Sequence, residues 1–534
     1  MDKATEMGKT SAVGSLQLFL GRSISTVILA VGIIILGRLF TIQGDYGLYT
    51  VALIPATTFL LFQDCGVGTA LTRYCAKYRA TNEEVEQRKI IVAGLIFEVA
   101  TGIVLTVVSI LLAGFIAYTV FGKPESAFLI VVSSLTILTA ALVSATGSIF
   151  VGFEQMKLSS YTGIIGATVQ GVLAPLLVYF GYGAMGAVIG FTLSSVASAV
   201  ISLIFLYFFI FRKLPHSRTN KSDIYRTLKP LLNFGIPISI SNIFAGLGGQ
   251  FYSFIMAAYV SLTIIGNYQI ATNFTVLLAF FTIPIITVLF PVFSKLDPQK
   301  EKNLLKTVFT SSVKYTVLLV VPATMAMIVL SNPLIGTLYG NKWPSAPLFL
   351  SLSVVYNMLA LFGWRSMGSL LPAIGETKLV MKLNLLSLLI AIPLAFLLVP
   401  TLGIIGVIIG APISALPSTF IGLYLIWKRY GVKADFHASA KILLASALAS
   451  ATVFLFLNLF TAAYWVLFVV GSILFLAVYL ISAPLVGAIN QTDVNSLRTM
   501  FSGSGIISRI FEIPLKIIEK ILKTRNPQAK IKNQ

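Results

Sequence analysis

Apolar stretches of about twenty residues recur from one end of this 534-residue chain to the other. Each is long enough to cross a ~30 Å hydrocarbon layer as a helix, the one open-ended structure that satisfies its own backbone hydrogen bonds there. Charged residues make up only 10% of the chain, against roughly 25% in a soluble domain, and mean hydropathy is +0.93. The sequence therefore predicts an all-α integral membrane protein of about 14 spans. These lie at 15–40, 47–71, 91–119, 127–151, 159–180, 185–211, 231–258, 264–292, 307–330, 346–371, 380–400, 403–427, 440–460 and 464–489.

The formal net charge of +20 would suit a nucleic-acid binder, but its placement argues for topology instead. With the N-terminus inside, about 32 of the 38 Lys and Arg fall on the cytoplasmic side, and only Arg38, Lys123 and Lys342 fall outside. This asymmetry predicts a multi-pass protein of the cell membrane with both termini cytoplasmic. An anionic inner leaflet adds attraction for the basic loops. Lys3 and Lys9 precede a first apolar run too long for a cleavable signal, so it reads as a retained span. Cys65 and Cys75 stand ~15 Å apart on one helix, too far to bridge. His216 and His437 lie in separate basic loops. No disulfide, metal or cofactor is expected.

Two internal matches share nearly one offset. GYGAMGAVIG at 181–190 aligns with TLGIIGVIIG at 401–410, placing Gly183, Gly186 and Gly190 against Gly403, Gly406 and Gly410. GDYGLYTVA at 44–52 is echoed by GNYQIATNF at 266–274. Small residues at such spacing let helices approach closely in lipid, and the common offset points to a duplicated six-helix unit as well. Six is even, so the copies form a parallel repeat. The expected organisation is an N-lobe at 1–211 (spans 1–6), a cytoplasmic linker at 212–229 and a C-lobe at 230–427 (spans 7–12). Two further spans follow at 428–490, then an amphipathic helix and basic tail at 491–534. In that tail Ile507, Ile510, Phe511, Ile518 and Ile521 alternate at helical spacing with Lys516, Glu519, Lys520 and Lys523, the pattern of a helix on a membrane surface.

Five charged residues stand inside spans: Arg22, Asp64, Glu98, Lys314 and Arg365. Each is about seven or eight residues from the cytoplasmic end of its helix, hence ~10–12 Å below the inner surface. Lys and Arg can snorkel from this depth, but carboxylates reach less far and are costly in hydrocarbon unless paired or neutralised. Asp64 therefore either pairs with Arg22 or caps a helix restarting after Gly66 and Gly68. The surplus of cations predicts a site for an anion, with Arg22, Arg365 and Lys314 as the residues that meet it. Asn242, Gln250, Asn273, Asn357 and Trp364 are polar or aromatic residues within spans, suited to hydroxyl-rich groups. Together they predict a water-accessible cleft between two six-helix lobes. Asp64 and Glu98 are the candidates for structural support or ion coupling.

LGRLFTIQGDYGLY at 36–49 and DCGVGTALTRYCAKYRA at 64–80, with LYGNKWPSAPLFLSL at 338–352 and the two glycine repeats, resemble the polysaccharide flippase family. That family belongs to the multidrug, oligosaccharidyl-lipid and polysaccharide exporter superfamily, and the similarity covers essentially the whole chain. It implies an alternating-access transporter, not an enzyme. The implied substrate is an oligosaccharide on polyprenyl phosphate or diphosphate, moved from the inner to the outer leaflet for surface glycan assembly. Membrane lipids and glycosyltransferases of the same pathway are the implied partners, with a monomer as the working unit. Arg22 is similar to the first-helix cation of lipid-diphosphate flippases, and Asp64 with Gly66 and Gly68 matches the family's acid–glycine signature. Many relatives carry an acid–base pair late in the seventh helix, where this chain has Tyr252 and Ser253. A multidrug or organic-cation antiporter is the alternative reading, and Asp64 and Glu98 are the carboxylates it would need. A membrane glycosyltransferase fits less well, because no loop carries a paired-carboxylate metal motif.

Overall fold

The computed structural model describes residues 3–215, 221–501 and 506–525. It is helical throughout, with no strand among the described residues. Packing divides the chain into two compact units, Met1–Gln269 with Asn384–Ala415, and Ile270–Leu383 with Leu416–Gln534.

The first unit contains α1 (Lys3–Leu39), α2 (Gln43–Gln63), α3 (Val67–Ala80), α4 (Glu84–Phe115), α5 (Ala127–Gly152), α6 (Met156–Leu177), α7 (Gly183–Phe209) and α8 (Lys221–Tyr259). Two residues, Val260 and Ser261, lead into α9 (Leu262–Ser294), which enters the second unit. The second unit goes on through α10 (Lys302–Val329), α11 (Ser331–Tyr339), α12 (Ala346–Val354) and α13 (Trp364–Ala373). Most of α14 (Thr377–Leu402) and the start of α15 (Ile404–Tyr430) belong to the first unit. The rest of α15, α16 (Phe436–Leu459), α17 (Tyr464–Val486), α18 (Gln491–Phe501) and α19 (Ile506–Arg525) complete the second.

Among the described residues eleven helices are long and apolar enough to cross a membrane, or up to twelve if one bent pair counts as a single span. The one at Met156–Lys213 carries two of the expected spans across a break at Gly181 and Gly183. The expected span 264–292 falls on α9, and its side chains from 279 to 291 lie outside the described set. Leu111, Phe115, Phe180, Leu397 and Leu459 are among many large apolar residues on the outside of the helices. A surface of this kind is made for acyl chains.

Two expected spans are not continuous. The helix expected over 47–71 stops at Gln63 and restarts as α3, because Cys65 (φ 45°) and Gly66 (φ 79°) are left-handed. The span expected over 346–371 is bent by 59°, where a 3₁₀ stretch (Val355–Phe362) meets α13 at Gly363 (φ 87°). The linker expected over 212–229 is also shorter than the sequence implied. Residues 221–229 are already the first turns of α8, and Leu228 packs with the buried cluster around Leu71 and Leu231. His216 lies outside the described residues.

The glycine repeats recur as geometry. Gly183 (φ 49°) and Gly403 (φ 58°) each stand at the start of a helix, α7 and α15 respectively. Three residues on, Gly186 sits against Leu177 and Gly406 against Leu398, too close for a Cβ. In the first unit α1 packs on α6 in the same way. A Cβ on Gly32 would lie 2.5 Å from the Cα of Gly171, and Ser160 Oγ donates to the Gln17 carbonyl at 2.9 Å. Lipid offers no hydrophobic drive for helix pairing, so backbone approach and hydrogen bonds of this sort hold such contacts.

Candidate functional site

In the first unit the break after α2 exposes backbone N–H groups that no helical carbonyl can satisfy. Asp64 takes that role: its Oδ1 accepts from the Gly68 N–H at 2.6 Å, and its carbonyl accepts from Val67 at 2.8 Å. The break is tight because α8 presses on it. A Cβ on Gly66 would stand 2.1 Å from the Gly235 carbonyl oxygen. Glu98, fully buried on α4, reaches the same place. Its Oε2 accepts from Gln63 Nε2, its Oε1 has no partner, and the Asp64 carboxyl is its neighbour. Two acids and an amide thus meet at one broken helix.

The ion pair expected between Arg22 and Asp64 is absent among the described residues. The reason is packing. Helix α1 lies on α6, leaving the Arg22 side chain exposed, while Asp64 is engaged by the restart of α3. Gln250 is engaged too: its Oε1 accepts from Thr58 Oγ1 at 3.1 Å and from Thr57 Oγ1 at 3.4 Å, which ties α8 to α2. Asn242 is exposed on α8.

The second unit holds a break of opposite character. Arg365 is the second residue of α13, just after left-handed Gly363. Its Nη2 donates to Asn357 Oδ1 at 2.9 Å, while the Asn357 amide donates to the Val354 carbonyl at 3.1 Å. The guanidinium lies over the Trp364 ring at 4.7 Å, and Tyr356 meets that ring edge-on at 4.8 Å. Its Nε is buried with no partner. Ser312 Oγ donates to Ser366 Oγ at 2.6 Å and fixes α13 to α10. No described acid pairs with Arg365.

Lys314 is different from the other intramembrane cations. Its Nζ donates to both carboxylate oxygens of Asp493, at 2.7 and 2.6 Å. Asp493 is itself fixed by reciprocal bonds with Asn490 at the start of α18. Nothing in the sequence flagged Asp493, which follows the last expected span, inside the segment expected to be a surface tail. That segment is not wholly superficial: Leu515 and Ile518 of α19 are buried beside α17. Asn273, at the start of the second unit, is half-buried and hydrogen-bonded or otherwise engaged. Gln63, Tyr356 and Asp493 are the site residues sequence reasoning missed. Of these only Gln63, adjacent to Asp64, carried a signal in its position.

No described group of His, Cys, Asp or Glu has the makings of a metal site. The overall fold matches solved transporters. Lipid II flippase MurJ in an inward closed conformation gives a TM-score of 0.71 over 89% of this chain and 98% of that one, at 16% identity. An inward-facing multidrug resistance MATE family transporter of the MOP superfamily gives 0.64 over 78% and 98%, at 18% identity. At such identities the likeness concerns fold, and the fold is that of the multidrug, oligosaccharidyl-lipid and polysaccharide exporter class. The sequence is also similar to lipopolysaccharide biosynthesis protein WzxC of Escherichia coli, 26% identical over 76% of this chain and 79% of that protein. It is 20% identical to the "Probable low-salt glycan biosynthesis flippase Agl15" of Haloferax volcanii, over 53% of this chain and 59% of that one. The model of the polysaccharide biosynthesis protein family matches residues 12–297, over half the chain, and the chain belongs to that family.

Proposed function

We propose that this protein is a flippase that carries a polyprenyl-(di)phosphate-linked oligosaccharide from the inner to the outer leaflet. The observation that carries the reading is Arg365. A cation at a helix N-terminus opposes the helix dipole, so α13 gains nothing from having an arginine there. The same position adds the positive end of the helix to the guanidinium, which is the arrangement that binds phosphate. Its Nε has an unused donor, and the indole of Trp364 and the amide of Asn357 stand beside it to meet sugar hydroxyls and ring faces. In the first unit Arg22, exposed and without an ion-pair partner among the described residues, is a further cation offered to the cargo phosphate. In the second unit Lys314 becomes available to it only when Asp493 lets go.

The finer features belong to the same reading: about fourteen spans in two parallel six-helix repeats with two added, and both termini in the cytoplasm. A monomer working with glycosyltransferases of its pathway completes it. Names of relatives as lipopolysaccharide and glycan proteins support a glycan cargo. Asp64 and Glu98 serve as the coupling element, neutralised together by a proton or small cation. The antiporter reading draws on that same acid pair and on the MATE fold.

Arg365→Gln removes the charge and keeps a polar side chain. It is expected to slow flipping of a lipid-linked oligosaccharide in proteoliposomes by about 10–100-fold, as the loss of one charge-assisted contact of ~1.5–3 kcal/mol implies. Folding and reconstitution yield should remain unchanged. Full transport by a folded variant would defeat the phosphate assignment, and resistance to cationic dyes abolished by Asp64→Asn would favour the antiporter.

A further inference from the structure

A second basic feature lies in the first unit, between α3 and α8. Near the basic end of α3 and the first turns of α8 there is an open pocket of about 650 Å³. It is lined by Tyr74, Tyr225, Arg226, Lys229, Asn233 and Phe234, with Pro230. Arg73 adds a third cation against two of these rings, its guanidinium 4.4 Å from the centroid of the Phe234 ring and 5.8 Å from that of Tyr74. Tyr74 is stacked with Tyr78 and edge-on to Phe234, so the wall is a built aromatic surface. The volume falls within the ~300–1,000 Å³ of small-molecule sites.

Polarity along α8 changes across this pocket. Arg226 and Lys229 precede Pro230, and the apolar run begins at Leu231. Cations above and aromatic rings below mark the headgroup level of a membrane. The nearby acids are occupied elsewhere or stand aside. Glu86 is paired with Lys89 at 2.6 Å, Glu83 faces Tyr78, and the charge of Asp223 acts on Lys89. No acid lines the pocket, and among the described residues neither Arg226 nor Lys229 has an ion-pair partner.

We propose that the Tyr74–Arg226–Lys229–Phe234 pocket is a binding site for the phosphodiester headgroup of an anionic membrane lipid. The two cations take the phosphate oxygens, Asn233 offers an amide to the glycerol end, and the acyl chains leave past Phe234 into the bilayer. The pocket belongs to the first unit and shares no residue with the Arg365 cluster of the second, and its occupant is a resident lipid. Neither its existence nor its test depends on what the protein flips.

The test is lipid retention by the purified full-length protein, read by native mass spectrometry in micelles doped with phosphatidylglycerol or phosphatidylcholine. The wild type should retain phosphatidylglycerol preferentially. Arg226→Gln with Lys229→Gln should lose about tenfold or more in that retention, each interfacial cation being worth ~1 kcal/mol, with an unchanged thermal midpoint. Lys302→Gln with Lys306→Gln removes the same charge from an exposed stretch of α10 and should leave retention as it was. Equal loss in both double variants would reduce the effect to bulk attraction and overturn the site. So would equal retention of the two lipids by the wild type. Millimolar inorganic diphosphate should not displace the lipid, and full displacement would reassign the pocket to a soluble phosphate. Retention unchanged in the folded Arg226/Lys229 variant would overturn the proposal outright.

Discussion

The broken helices at Gly66 and Gly363 use the same backbone device for opposite charges. Each has a left-handed glycine at the N-cap of a new helix. After Gly66 the freed N–H groups meet Asp64, so the carboxylate and the positive helix end stabilise each other. After Gly363 the next polar residue is Arg365, whose charge adds to the helix end. The first break is self-satisfied apart from Glu98, whereas the second keeps an unspent donor. The difference teaches where to look for an anionic guest: in the break whose local electrostatics are unresolved.

The comparison can be broken at the glycines first, where the largest effect is expected. Gly66→Ala drives a Cβ to 2.1 Å from the Gly235 carbonyl and adds left-handed strain, with backbone on both sides unable to yield. Loss of folded protein, or a fall of several kcal/mol in stability, is expected. At Gly363 the new Cβ would meet the Val313 Cγ2 at 3.0 Å, a side-chain atom that can shift. Gly363→Ala should therefore cost only the ~1–2 kcal/mol of the backbone strain. Thermal unfolding of both variants in detergent decides it, and equal shifts would erase the distinction between a rigid and a yielding break.

A middle-sized effect is expected at Lys314. Asp493→Asn leaves an ammonium that is only partly exposed, 20% by side-chain area, without its counter-charge. The ~3–5 kcal/mol of a broken buried pair is the upper bound. Unfolding midpoints should fall, and hydrogen exchange should quicken in α18 and α19, the tail that Asp493 anchors. Unaltered exchange there would mean that Leu515 and Ile518 hold the tail unaided.

The smallest effect separates two substitutions of Glu98. Glu98→Gln keeps an oxygen to accept from Gln63 and should alter stability by less than ~1 kcal/mol. Glu98→Ala strands the Gln63 amide in a buried place and should cost about 1–3 kcal/mol from that group alone. Calorimetry or chemical unfolding of the pair tests whether the acid at the first break is structural. A large loss of transport by the stable Gln variant is the outcome the coupling role requires, and unchanged transport would leave Glu98 a purely structural acid.

Much of this was legible in the chain. Run length and hydropathy announced the long apolar helices, since a bilayer accepts little besides helices. The acid–glycine run DCGVG marked a restart, and Asp64 does cap it. What escaped was partnership. Counting at helical rise puts Arg22 and Asp64 at one expected depth, yet α1 packs on α6 through Gly21 and Gly32, where only a neighbour with small residues fits. Lys314 found its acid 179 residues away, in a segment whose pattern resembles a surface helix.

The amino-acid sequence alone determined that the protein is a helical membrane protein of the polysaccharide biosynthesis family, because hydrophobic length and the motifs that carry the family resemblance are local properties of the chain. Only the tertiary structure decided which intramembrane charges are spent and which remain available. That choice depends on side chains from distant helices meeting within ~3–4 Å in a medium without water. Such meetings are set by packing, and no local pattern records them.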